Sequence, residues 1–164
     1  MFAGLDARPQ ATEPAVKAAF LYKFAGYVEW TAAAASRPDA AVVIAVAGAD
    51  DVATELERLV PGRNINGRPV LVRRVRGEES LRGVHVLFVG RTDPAARTLV
   101  AAGRQQGALV VTESEKGLEL GSAINFVPVD ERIGFDVSLD NAEAAGVRIS
   151  ARMLAVARRV VPRS

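Results

Sequence analysis

The chain has 164 residues, 49% of them hydrophobic and 24% charged, a balance typical of one packed globular domain. Its 21 cationic and 19 acidic residues give a formal net charge of +2, without the concentrated basic excess typical of nucleic-acid-binding domains. The absence of cysteine excludes thiol chemistry and thiolate metal sites and removes the usual indication of redox compartment, and no apolar run approaches the ~20 residues of a membrane span.

Residues 1–12 lack the apolar segment of a signal peptide. We interpret them as a flexible leader of the kind that remains when a signal has been removed and a starting methionine added. The folded domain is expected to cover residues 13–162. Its first helix should begin near Thr12, as the N-cap, with Pro14 in the first turn.

The stretch "FLYKFAGYVEW", residues 20–30, is expected to continue this helix. Helical periodicity then predicts one apolar stripe that packs on a sheet. This stripe consists of Val16, Phe20, Phe24 and Tyr27, with Leu21, Val28 and Trp30 on its flanks. The opposite face is poor in charge, and consists of Ala18, Tyr22, Ala25, Gly26 and Glu29.

The middle of the chain alternates between two patterns. Residues 41–48, 83–90 and 108–114 are almost continuously apolar, which is typical of strands buried on both faces of a parallel sheet. Residues 49–60 and 92–107 have helical character. This βαβ alternation, with a short strand at residues 70–75, predicts an α/β sheet with helical crossovers.

The last third changes character. Residues 123–139 read as an antiparallel hairpin that turns at Asp130–Glu131, followed by a short helix with Asp140 and Glu143 as a capping box. Residues 149–161 are expected to form a final helix. The predicted fold is therefore a single-domain, three-layer α/β fold. It has a mostly parallel central sheet of about five to six strands, helices on both faces and a C-terminal antiparallel hairpin.

Catalytic patterns are hard to find. The one histidine, His85, begins a predicted buried strand, so we interpret it as a structural residue satisfied by the backbone. The glycine-containing loops lack the GxxxxGK[ST] and GxGxxG patterns of phosphate-binding loops. We therefore predict no enzyme activity, no catalytic residues, no metal site and no cofactor.

One polar cluster is a candidate anion site. Arg148, Ser150 and Arg152 surround the predicted start of the last helix, where unpaired N–H groups attract anions, and Asn125 lies among apolar strand residues. The alternative is purely structural. Ser150 would then be an N-cap, the arginines would be solvated or salt-bridged to Asp136 and Asp140, and Asn125 would hold a backbone edge.

The charge-poor face of the first helix is a candidate interface. Ala18, Ala25 and Gly26 would let another backbone approach closely, and Tyr22 is of the residue type that anchors interfaces. We predict that this face, with Glu29, pairs with a partner or a second copy. In the alternative, alanine is present as a good helix former and Tyr22 folds onto the protein's own surface.

Several segments, in order, resemble the YfiR-like family of proteins. They are "VKAAFLYKFAGYVEW", "INGRPVLVRRV", "HVLFVG", "VVTES" and "GSAINFVPVDERIGFDVSLDNAEAAGVRISARML", and the resemblance runs from about Val16 to Ala157. It is carried by the aromatic first helix ending in EW, the NGRP loop and the terminal block around "AGVRISARML".

The resemblance implies a periplasmic protein, usually a homodimer. Such a protein binds the periplasmic sensor region of an inner-membrane diguanylate cyclase and so lowers cyclic-di-GMP synthesis and biofilm formation. It also leaves open a second role, as a sensing domain for a small anionic ligand. The disulfides that better-known members carry cannot form here, because this chain has no cysteine.

Overall fold

The structure is a computed structural model that describes residues 11–31, 40–77 and 79–164. Residues 1–10 of the predicted leader lie outside this part. The helices are α1 (Glu13–Gly26), α2 (Asp50–Leu59), α3 (Ala96–Gln105), α4 (Gly117–Leu120), α5 (Leu139–Ala144) and α6 (Ala151–Val156).

Ten strands are assigned in the described residues. They are β1 (Val28–Trp30), β2 (Val42–Ala47), β3 (Asn64–Ile65), β4 (Arg68–Val75), β5 (Val86–Val89), β6 (Leu109–Thr112), β7 (Ile124–Val129), β8 (Arg132–Ser138), β9 (Val147–Ile149) and β10 (Arg159–Val161). The predicted class is confirmed, although the sheet is larger than expected because the C-terminal hairpin and short edge strands join it.

The main sheet has eight strands in the order β10-β8-β7-β6-β5-β2-β4-β3, and β1 pairs with β9 in a separate small sheet. Strands β4, β2, β5, β6 and β7 run parallel. Counted in chain order, these strands lie in the sequence 2-1-3-4-5 across the sheet, a common order of doubly wound α/β folds. The hairpin β7–β8 is antiparallel, as predicted.

The sheet is covered on both faces, which makes three layers. On one face α1 and α2 pack over alternate strand residues such as Ile44 and Phe88. On the other face Leu99 and Val100 of α3 pack over the intervening positions, such as Leu87. Strands buried on both faces need continuous apolar sequence, which explains the apolar runs at β2, β5 and β6.

The first helix is shorter than predicted. Thr12 caps its N-terminus, as expected, by accepting a hydrogen bond from the N–H of Ala15. The helix ends at Gly26, and the next residues become strand β1, which pairs with β9. Tyr27 therefore leaves the predicted stripe and is 42% exposed.

The predicted final helix is three elements instead of one. Strand β9 comes first, then Ser150 caps α6 by accepting a hydrogen bond from the N–H of Met153. After α6 the backbone at Ala157 becomes extended and β10 pairs with β8. The short helix α5 is capped by Ser138, which accepts from the N–H of Asn141, and not by Asp140.

Candidate functional site

The predicted interface on α1 does not form one open face. Ala18 and Ala25 are buried in the chain's own core, at 1% and 0% exposure. Small residues do allow a close approach there, but the element that approaches is α2 of the same chain. The interface prediction is therefore wrong for Ala18 and Ala25 in the described fold. Gly26 and Glu29 are exposed.

Tyr22 is half-buried and contacts strand β3 and the residue just before it. Its hydroxyl donates a hydrogen bond to the carbonyl oxygen of Asn64 at 2.9 Å, and the guanidinium of Arg63 lies 5.9 Å from its ring centre. These contacts agree with the alternative in which Tyr22 folds onto the protein's own surface.

The predicted anion cluster is not assembled. The side chain of Asn125 lies on the sheet face opposite to α6, because the adjacent residues Ile124 and Phe126 point into the core that contains Met153 of α6. The hydroxyl of Ser150 serves as the helix cap. Arg148 is exposed and lies 3.9 Å from Glu29.

Asn125 instead holds α4 against the sheet. Its Oδ1 accepts from the hydroxyl of Thr112 at 2.7 Å, and its Nδ2 donates to the carbonyl of Ser114 at 2.8 Å. A Cβ at Gly117 would overlap the side-chain oxygens of both Asn125 and Thr112. These contacts agree with the alternative interpretation, in which Asn125 has a structural role.

His85 is a structural residue, as predicted. It is 4% exposed, and its Nδ1 accepts a hydrogen bond from the backbone N–H of Val43 at 3.1 Å. Its carbonyl oxygen accepts from the indole N–H of Trp30 at 2.8 Å, which ties β1 to the start of β5.

An apolar groove lies between α1 and α6, and we call it the α1–α6 groove. Its volume is about 470 Å³. The residues that line it include Phe20, Lys23 and Tyr27 from α1 and its end, and Arg152, Met153 and Val156 from α6. The floor is apolar and both cationic side chains are exposed.

The groove displays two large hydrophobic side chains to solvent. Tyr27 is 42% exposed and Val156 is 71% exposed. Aromatic residues and arginine are enriched in protein interfaces relative to the rest of the surface. Sequence reasoning placed Tyr27 in the core and did not single out Val156, because it treated both segments as parts of longer helices.

A nearly buried lysine lies at the opposite end of α1. The ammonium of Lys17 donates hydrogen bonds to Glu13, at 2.8 Å, and to Glu113, in the loop after β6. Burial lowers the pKa of Lys17, but the hydrogen bonds to Glu113 and Glu13 outweigh burial, so the pKa is raised above its ordinary value. The hydrogen bond from Lys17 lowers the pKa of Glu13.

The position of Lys17 had a signal in the sequence. At 100° per residue Lys17 shares a helix stripe with Leu21 and Phe24, both of which are buried. A lysine on an apolar stripe, four residues after a glutamate, indicates a paired and partly buried cation.

The fold is that of a small doubly wound α/β domain with an exposed apolar groove. A family model described as YfiR/HmsC-like matches residues 14–158, and this chain belongs to that family. The resemblance identified from the sequence is thereby confirmed. A search of curated proteins finds no match.

Family membership suggests a periplasmic regulator in cyclic-di-GMP signalling, since the family consists of regulatory domains. Within the described residues, no helix has both the length and the hydropathy needed to cross a membrane.

Proposed function

We propose that this protein is a periplasmic repressor that binds the sensor region of an inner-membrane diguanylate cyclase. The bound cyclase would be held in its inactive arrangement, which lowers cyclic-di-GMP synthesis and biofilm formation. The protein would act by differential affinity and without catalysis. A preference of about 100-fold for the inactive state, or ~2.7 kcal/mol, is sufficient to silence most of the output.

Family membership is the observation that carries this proposal. The α1–α6 groove supports it by supplying a surface, because Tyr27 and Val156 are exposed apolar side chains. Arg152 and Lys23 line the same groove. We therefore infer that the bound segment of the sensor region is apolar with neighbouring acidic residues.

A binding titration against the soluble periplasmic domain of the cyclase encoded nearest to this gene tests the proposal. We expect saturable binding at micromolar affinity or tighter. Val156→Glu and Arg152→Glu should each weaken binding at least tenfold, because they place a carboxylate on the groove and would repel an acidic segment.

Leu71→Glu is the matched control, since Leu71 is also a large exposed hydrophobic residue, at 55%, but lies on β4 outside the groove. Absence of binding by the folded wild-type protein would refute the proposed partner. Equal weakening by the control would refute the proposed surface.

We also propose that the chain forms a homodimer through the exposed part of the predicted α1 face, Gly26 and Glu29, with the half-buried ring of Tyr22 beside them. A Cβ at Gly26 would meet no atom within 4 Å, so Gly26→Arg is compatible with the monomer fold. Light scattering should give a dimer for the wild type and a monomer for Gly26→Arg. A wild-type monomer, or a variant that remains dimeric, contradicts the proposal.

A further inference from the structure

A second cavity lies at the carboxyl ends of the parallel strands. After β2 the chain passes through α2, on one face of the sheet, and reaches β4 on one side of β2. Strand β5 lies on the other side of β2, and the chain leaves it through α3, on the opposite face of the sheet. The strand order therefore reverses between β2 and β5. In doubly wound sheets the crevice outside the strand ends at such a point is where ligands bind.

The cavity at this position has a volume of about 310 Å³, and we call it the switch-point cleft. It is lined by Gly48 and Ala49 after β2, and by Arg91 and Thr92 after β5. The two loops approach so closely that a Cβ at Gly90 would overlap the carbonyl oxygen of Gly48. Backbone rather than side chains therefore closes the cleft between the strands.

Charged side chains of both signs line the remaining walls. Lys17 and Glu113 form the inner part, with side chains only 8% and 13% exposed. Glu113 also accepts a hydrogen bond from the backbone N–H of Arg91 at 3.1 Å, which fixes the loop that carries this arginine. Asp51, from the first turn of α2, and Glu13 line the outer part.

These charges narrow the class of ligand. A simple anion is disfavoured, because Glu13, Asp51 and Glu113 line the same space. A metal ion is disfavoured as well, since the described residues contain no group of three or more acidic, histidine or cysteine side chains able to hold one. A molecule with one negative and one positive group can pair with both signs.

We propose that the switch-point cleft binds a small zwitterion, such as a free α-amino acid or a betaine. Its carboxylate pairs with Arg91 and the remaining N–H of Lys17, and its ammonium group faces Asp51. A volume near the ~300 Å³ lower limit of small-molecule sites suits a single small metabolite. This site is separate from the α1–α6 groove and does not rest on the proposed function.

Thermal unfolding with each common free amino acid, and with glycine betaine, tests the proposal. At about ten times its dissociation constant, a bound zwitterion should raise the midpoint by ~3–5 °C for a chain of this size. The N-acetyl and amide derivatives of an active amino acid should each give no shift, because each lacks one of its charges.

Two variants locate the site. Arg91→Gln and Asp51→Asn should each weaken binding at least tenfold in calorimetric titration, while the protein remains folded by circular dichroism. Arg97→Gln, on the exposed face of α3, and Asp130→Asn, in the β7–β8 turn, are matched controls that should bind like the wild type.

The absence of a thermal shift with all of these zwitterions overturns the proposal. So does a shift that inorganic phosphate alone reproduces, since this would indicate a simple anion site. Binding that Arg91→Gln and Asp51→Asn leave unchanged would place the ligand elsewhere and would also overturn it.

Discussion

Lys17→Met removes the ammonium group between Glu13 and Glu113 but keeps the aliphatic length of the side chain. Removal of one partner of a buried ion pair costs ~3–5 kcal/mol of unfolding free energy. We expect a loss near the lower limit, about 3 kcal/mol, because Glu113 retains the N–H of Arg91 and Glu13 is 58% exposed. For a chain of this length, the thermal midpoint should fall by ~6–12 °C.

The difference in unfolding free energy between the wild type and Lys17→Met should depend on pH in a definite direction. Because the pKa of Lys17 is raised in the folded state, its stabilisation is fully present below the unfolded value of 10.5 and is lost as the pH rises through the folded value. The pKa of Glu13 is lowered, so its contribution is present above 4.5 and is lost as the pH falls through the folded value. The stability difference between the wild type and Lys17→Met should therefore become smaller at both low and high pH.

Urea unfolding followed by circular dichroism measures the difference at neutral pH and at pH values above 10.5. Lys23→Met is the matched control, since Lys23 is exposed on the same helix. A Glu113→Gln variant and the double variant complete a cycle that isolates the pair. A Lys17→Met protein within about 0.5 kcal/mol of the wild type, or a difference that does not narrow above 10.5, would refute the reasoning.

Three further changes test the packing. Phe24→Ala should cost ~3–5 kcal/mol in urea unfolding, because the ring is 2% exposed and contacts three other phenylalanines; a loss below about 1 kcal/mol would contradict its place in the core. Gly117→Ala should destabilise more than Gly26→Ala, since only Gly117 faces the oxygens of Asn125 and Thr112; equal thermal midpoints would contradict that contact. Ser150→Ala should lose about 1 kcal/mol as a helix cap, and no change in chemical denaturation would show that the cap is dispensable.

The sequence predicted the centre of the sheet well and its ends less well. Strands β2, β5 and β6 are buried on both faces, so each carries a local signal in its apolar run. Strands β1 and β10 are short and form only through pairing with distant segments. Helical periodicity at Tyr27 and Val160 therefore gave the wrong element, because tertiary pairing decided it.

The candidate sites depended even more on tertiary structure. Arg148, Ser150 and Arg152 are neighbours in sequence, yet they serve as a surface cation, a helix cap and a groove residue. The α1–α6 groove joins the end of one helix to a helix more than a hundred residues later. Such a juxtaposition of distant segments leaves no local pattern in the sequence.

Cyclic-di-GMP synthesis by the full-length cyclase in lipid nanodiscs tests the central claim most directly. The wild-type protein and Leu71→Glu, added in excess, should lower the rate, whereas Val156→Glu should leave the rate near that of the cyclase alone. An unchanged rate with the wild-type protein, under conditions in which the two proteins are shown to bind, would contradict repression. Equal repression by Val156→Glu would contradict the role of the groove.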